Sequence, residues 1–186
     1  MKKVYIIHCW EGASNLFWIP QIAEYLRNLG YDVITPDMPN TDEPKIDEWV
    51  GHLKEIAKDM DEKTIFIGHS IGCQTIMRFL AEQNKKIEKC IFVAGWFDLV
   101  NLEDEGSKEI ARPWIETKID FAKIKQNVSD VLTVLGEDDK WVVADKTKKE
   151  FESNLNARVE ILEGYGHMDD SFEELPKLEE ILKKEF

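Results

Sequence analysis

The feature that most constrains this chain is the stretch Thr64-Ile65-Phe66-Ile67-Gly68-His69-Ser70-Ile71-Gly72-Cys73. A β-prone run leads into Gly-x-Ser-x-Gly, and behind it Cys73, Ile76, Met77 and Leu80 recur at helical spacing. The pattern predicts a strand, a sharp turn and a helix, with Ser70 at the apex. A residue at such an apex takes a strained backbone conformation that lifts its side chain above the sheet edge. Strand and helix then pass so closely that side chains two positions away on either side would collide, which is why Gly68 and Gly72 flank the serine. The helix N-terminus beneath offers unpaired N–H groups and a partial positive charge, suited to an oxyanion.

Around this turn, strands and helices alternate. Lys3 to Ile7 reads as a short strand, followed by a loop from His8 to Asn15. Ile19, Ile22, Ala23, Leu26 and Leu29 mark a helix closed by Gly30. Tyr31 to Thr35 is a second strand, and Ile46 to Met60 an amphipathic helix with Trp49 in its apolar stripe. Further strands are expected at Ile91 to Ala94, Val131 to Leu135 and Val159 to Leu162, and a closing helix from Phe172 to Leu182. The alternation implies an α/β fold: a mostly parallel sheet of about six strands with helices on both faces. Ligands in such sheets bind at the carboxyl ends of the strands. His8, Ser70, Gly95, Gly136 and His167 all follow strands and so share that edge.

The 186 residues suit a single domain, 1–186, with a short cap-like insert at about 95–127, too long for a simple connection. The net charge of −13 repels phosphate backbones and anionic headgroups, so neither nucleic acid nor a membrane surface is an expected partner. No apolar stretch approaches the ~18 residues of a membrane span. Cys9, Cys73 and Cys90 are odd in number and lie in apolar runs, which points to reduced thiols and a cytoplasmic location.

A serine hydroxyl becomes a nucleophile when a base takes its proton and a third group holds that base. In α/β-hydrolases the chain order is serine, acid, histidine. Of the four histidines, His52 lies in an amphipathic helix, His69 is turned away by the elbow, and His8 precedes the serine. His167, in the glycine-rich loop Glu163-Gly164-Tyr165-Gly166-His167, is the expected base. The acid is expected after the preceding strand, among Glu137, Asp138 and Asp139. Asp139-Lys140-Trp141-Val142-Val143 resembles the Asp-x-x-Val-Pro turn of many hydrolases, which selects Asp139 over Asp138, with Asp98 a distant third. The oxyanion donors are expected to be the backbone N–H groups of Ile71 and Trp10. Trp10, Trp96, Phe97 and Trp114 are candidate pocket walls, with packing in a small cap as the alternative for each.

With these residues placed, the chain resembles the YdeN-like, retinoblastoma-binding-protein-nine family of small serine α/β-hydrolases. The likeness rests on Asp37-Met38-Pro39-Asn40, Glu48-Trp49, the Gly68 to Gly72 turn, Arg112-Pro113-Trp114, Asp138-Asp139 and Gly166-His167. It implies a minimal α/β-hydrolase fold and a serine hydrolase acting on small-molecule esters or related acyl compounds, without cofactor or metal. In the family the acid is the second of the paired aspartates. Two positions depart from the family pattern: Cys9 stands where glycine is usual, and Val143 where proline is. The Leu-x-Cys-x-Glu motif behind one member's protein-binding role is missing, so no protein partner is implied. The rival readings are a non-catalytic binding module on the same scaffold, and amide or thioester cleavage by the same residues.

Overall fold

The computed structural model describes residues 2–186. Its strands are β1 (Lys3–Ile7), β2 (Asp32–Ile34), β3 (Ile65–His69), β4 (Ile87–Val93), β5 (Val128–Gly136) and β6 (Arg158–Leu162). Its helices are α1 (Ile19–Asn28), α2 (Ile46–Ile56), α3 (Ile71–Ala81), α4 (Glu105–Glu116), α5 (Phe121–Asn127), α6 (Ala144–Leu155) and α7 (Pro176–Lys184). The strands form one sheet in the order β2-β1-β3-β4-β5-β6, and every pairing is parallel.

Alternation along each strand divides the core in two. Tyr5 and Ile7 of β1, Phe66 of β3 and Cys90 and Phe92 of β4 pack with the apolar faces of α2, α3 and α6. Val4, Ile6, Ile65, Ile67, Ile91 and Val93 face the other way, onto α1 and α7. Helix α1 shows how local chemistry sets the elements. Pro20 occupies its first turn, and Gly30, at φ +88°, ends it. The Gly30 and Tyr31 N–H groups then bond back to the Arg27 and Leu26 carbonyls, which closes the last turn.

Several boundaries differ from the sequence reading, among them β5, which begins at Val128 rather than Val131. Strand β4 begins at Ile87 rather than Ile91, because Glu88 and Lys89 are strand residues whose charges are met by Lys2 and by Glu185. Helix α2 ends at Ile56, and the apolar Ala57 and Met60 reach the core from a following turn. The final helix starts at Pro176, while Phe172 and Leu175 pack from the loop before it. Within residues 95–127 lie α4 and α5. The latter sits beside α3 and α6 in the layer flanking the sheet.

The order of strands reverses between β1 and β3, and their carboxyl ends carry the His8–Gly12 loop and Ser70. That crevice is where this architecture seats ligands.

Candidate active site

Ser70 has φ +53° and ψ −118°, outside the regions an L-residue favours. Close packing holds it there. Its N–H donates to the Val93 carbonyl at 2.9 Å, and a Cβ added at Gly72 would stand 2.4 Å from the Ile7 carbonyl oxygen. The helix behind the serine thus lies directly on the end of β1.

His167 reaches the serine from the loop after β6. Its Nε2 is 2.8 Å from Ser70 Oγ, and its Nδ1 is 2.6 Å from Asp139 Oδ2. Asp139 is nearly sealed from solvent, with 1% of its side chain exposed. Its Oδ1 accepts the N–H groups of Trp141 and Val142 at 2.9 and 3.2 Å, so both carboxylate oxygens have donors. Nδ1–H facing the carboxylate leaves the Nε2 lone pair to accept the serine proton. The three residues singled out in the sequence therefore form one continuous hydrogen-bonded chain.

The loop bearing His167 is fastened from two sides. Asp138 Oδ1 accepts the Gly164 and Gly166 N–H groups, both at 3.1 Å, and these bonds hold its carboxyl below the usual range. His69 is wholly buried between Phe17, Trp18 and His167, and its Nε2–H donates to the His167 carbonyl at 2.9 Å. Burial, with the neighbouring His167 adding to it, lowers the His69 pKa to about 3, so this ring is neutral at ordinary pH. Its Nδ1 has no partner among the described residues. Asp98 takes no part in the chain; it pairs with Lys146.

On the other side of the serine, the β1 loop is braced by His8. Its buried ring meets the Cys9 carbonyl through Nδ1 at 2.8 Å and accepts the Met38 N–H at Nε2 at 2.9 Å. Burial lowers the His8 pKa, which favours this neutral form. The backbone N–H groups of Trp10 and Ile71 have no acceptor among the described residues. Cys9 is accommodated by burying its side chain, which pushes the thiol pKa up to about 12 and rules out a ready thiolate there.

A cavity of about 360 Å³ opens over Ser70. Trp10, Phe17, Leu99, Leu102 and Trp141 supply its apolar wall, and Glu11 and Asp169 also line it. Of the aromatics proposed from sequence, Trp10 is on this wall, with its indole N–H tied to the Asp42 carbonyl. Trp96, Phe97 and Trp114 are not. Trp114 is core: it is buried against Trp49, and its indole N–H bonds to the Pro44 carbonyl. Phe97 packs on Phe121 and Phe151. Trp96 lies beneath the cavity, its indole Nε1 3.2 Å from Ser70 Oγ. Trp141, absent from the sequence-derived wall, meets His167 edge-on with ring centroids 5.0 Å apart. Its place two residues after Asp139 was the available signal.

Among the described residues no group of three or more His, Cys, Asp or Glu side chains is arranged to hold a metal, and no helix is long and apolar enough to cross a membrane.

Comparisons with known proteins bear on the family and the fold. YdeN of Bacillus subtilis (strain 168) is 25% identical over 189 residues, spanning 100% of this chain and 96% of its own. The serine hydrolase RBBP9 of Rattus norvegicus is 27% identical over 169 residues, covering 90% of this chain and 83% of its own. The crystal structure of the B. subtilis ydeN gene product superposes with a TM-score of 0.85 at 23% identity, covering 99% and 98% of the two chains. Est1E from Butyrivibrio proteoclasticus, with ferulic acid bound, shares the fold at a TM-score of 0.75 and 17% identity, over 99% of this chain and 89% of its own. The family model described as "Serine hydrolase" matches residues 4–184, and the chain belongs to that family, the one that holds YdeN and RBBP9.

Proposed function

We propose that this hydrolase cleaves carboxylic esters of small molecules through an acyl-enzyme. The observation that carries the proposal is the unbroken chain from Asp139 through His167 to Ser70, at 2.6 and 2.8 Å. In this reading His167 Nε2 takes the Ser70 proton as Oγ attacks the ester carbonyl, and later delivers it to the departing alcohol. Asp139 keeps the ring in the Nδ1–H tautomer and stabilises the imidazolium. The Trp10 and Ile71 N–H groups receive the oxyanion. Their lack of other acceptors supports that role. A non-catalytic binder has no use for a strained serine bonded to an imidazole that is itself bonded to a buried carboxylate.

The cavity favours short acyl or aromatic groups, since its wall is apolar and its volume of about 360 Å³ is modest. Leu99, Leu102 and Ser107 reach it from the segment 95–127, which we read as a short cap on a single domain. The test is labelling by a fluorophosphonate probe, with peptide mapping, beside Ser70→Ala. A single adduct on Ser70, lost in the variant, is the expected result. Folded wild-type protein that takes no adduct would overturn the proposal. Ester, amide and thioester versions of one acyl group then rank the reactions, the ester being turned over fastest.

A further inference from the structure

Trp96 stands apart from the other aromatics near the site. It is 1% exposed, so it offers no surface to a substrate, yet its indole N–H points at the reacting oxygen, 3.2 Å from Ser70 Oγ. The backbone that carries this indole is held by a built network rather than by packing alone. Gln74 Nε2–H donates to the Trp96 carbonyl at 2.7 Å, and Arg78 Nη2–H donates to Gln74 Oε1 at 3.2 Å. Arg78 in turn fixes the carbonyls of Trp114 and Thr117, at 2.6 and 3.0 Å. The backbone leading to the indole is strained as well: Ala94, fully buried, has φ +48°. Strain of this kind persists where the surroundings over-determine it, and it gathers at working sites.

We propose that Trp96 is a catalytic residue, its indole N–H donating to Ser70 Oγ and assisting the departure of that oxygen from the acyl carbon in deacylation. This rests on the ester-hydrolysis reading above. In the free enzyme Oγ donates its proton to His167 and accepts from Trp96, which fixes the rotamer and leaves a lone pair for attack. In deacylation a water oxygen adds to the acyl carbonyl carbon while the water proton passes to His167 Nε2. The tetrahedral species then collapses. The C–Oγ bond breaks, its electron pair goes to Oγ, the Nε2 proton follows, and a carboxylic acid leaves with Ser70 restored.

The indole acts differently on the two half-reactions because only stabilisation gained between ground and transition state accelerates a step. Before acylation Oγ is a hydroxyl and already a fair acceptor. Before deacylation it is an ester oxygen, a poor acceptor, and it becomes strongly accepting only as the bond breaks. Trp96 therefore contributes more to deacylation.

The experiment is pre-steady-state hydrolysis of p-nitrophenyl acetate by the wild type and Trp96→Phe, which keeps an aromatic ring, though a smaller one, and removes the donor. Trp96→Phe is expected to lower kcat about 10-fold, less than the 10²–10³ of an oxyanion-hole donor because His167 shares the charge on Oγ. The fall in kcat/KM should be smaller, and the burst of p-nitrophenolate should be larger as acyl-enzyme accumulates. Unchanged kcat and burst overturn the inference, as does an equal loss in both half-reactions, the mark of a merely displaced serine. Should Trp96→Phe fail to fold, the Trp96 indole proton resonance is compared between the wild type and Ser70→Ala. A shift on losing the hydroxyl supports the contact, and an unmoved resonance overturns it. A failure of the ester reading would appear separately, as absent turnover in the wild type.

Discussion

Asp138 and Asp139 are sequence neighbours with separate partners: the first accepts two glycine N–H groups of the histidine loop, the second the imidazole itself. Exchanging carboxylate for amide therefore separates them. Asp139→Asn can present an N–H where an acceptor is needed, favouring the wrong tautomer, and should lower kcat on the order of 10⁴. Asp138→Asn keeps an acceptor oxygen and should lose less than about 10-fold, because neutral hydrogen bonds on an exposed loop are each worth only about 1 kcal/mol. Steady-state kinetics on the two variants decides, and the reverse order would reassign the acid. His69 allows a pH test. Its pKa falls from 6.5 in the unfolded chain to about 3 in the fold, chiefly through burial. Between those values the unfolded chain binds the extra proton. The contribution of the neutral ring is thus complete above about pH 6.5 and is lost as the pH falls toward 3, with a slope of at most about 1.4 kcal/mol per pH unit. His69→Phe removes that slope. Denaturant unfolding of both proteins between about pH 4 and pH 6 should give a flatter profile for the variant, and parallel profiles would contradict the assignment. Such a residue is hard to read from sequence. His69 is recognisable as part of a turn, but its hold on the His167 carbonyl links positions far apart in the chain.

At the scale of elements, the site depends on how closely segments pass. A Cβ at Gly72 would lie 2.4 Å from the Ile7 carbonyl oxygen, and one at Gly136 would lie 1.9 Å from that of Gly166. Both obstacles are backbone, so neither can swing aside. Gly72→Ala drives α3 off β1, and Gly136→Ala drives β5 off the histidine loop. Each should cost about 3 kcal/mol or more, the upper range for overpacking. Gly51, inside α2, has nothing within 4 Å of its added Cβ. There Gly→Ala should stabilise by roughly 0.5–1 kcal/mol, through backbone entropy alone. Chemical denaturation of the three variants, with opposite signs for Gly51 and the other two, is the check. Periodicity revealed the strands and helices well because most have one buried face. It misjudged the starts of β4 and α7 because tertiary partners set those limits: Lys89 is kept in a strand by Glu185, and Phe172 is buried from a loop. The chemistry-bearing residues after strands were legible for the same topological reason that gathers them on one edge. The cavity wall was much less so. Trp114 lies in α4 and is buried against Trp49 of α2, whereas Trp141 follows Asp139 and meets His167, a division that tertiary packing and not local sequence decides.

Over the whole molecule the net charge is −13, and the cavity that holds Ser70 is itself lined by Glu11 and Asp169. Among the described residues no Lys or Arg side chain lines that cavity, so an anionic ester meets like charge on approach and again on entry. A field of one sign focused by a low-dielectric cleft changes association rates by 10-fold or more at low salt. The consequence is selectivity by charge, carried by kcat/KM rather than kcat wherever deacylation limits turnover, since esters of one acid form the same acyl-enzyme whatever alcohol has left. Butyrate esters of choline, of a neutral alcohol of similar size and of glycolate share one acyl group and differ in the charge of the alcohol part. Their kcat/KM values should rank cation, neutral, anion at low ionic strength. Raising the salt from about 0.01 to 1 M shortens the screening length from about 30 to 3 Å, and the spread should narrow. Replacing Glu11 and Asp169 together by glutamine and asparagine should shrink the spread at low salt while leaving kcat for the neutral ester within about two-fold, because both substitutions remove charge and keep size. A ranking that ignores salt would mean that shape, and not the acidic cavity, selects the substrate.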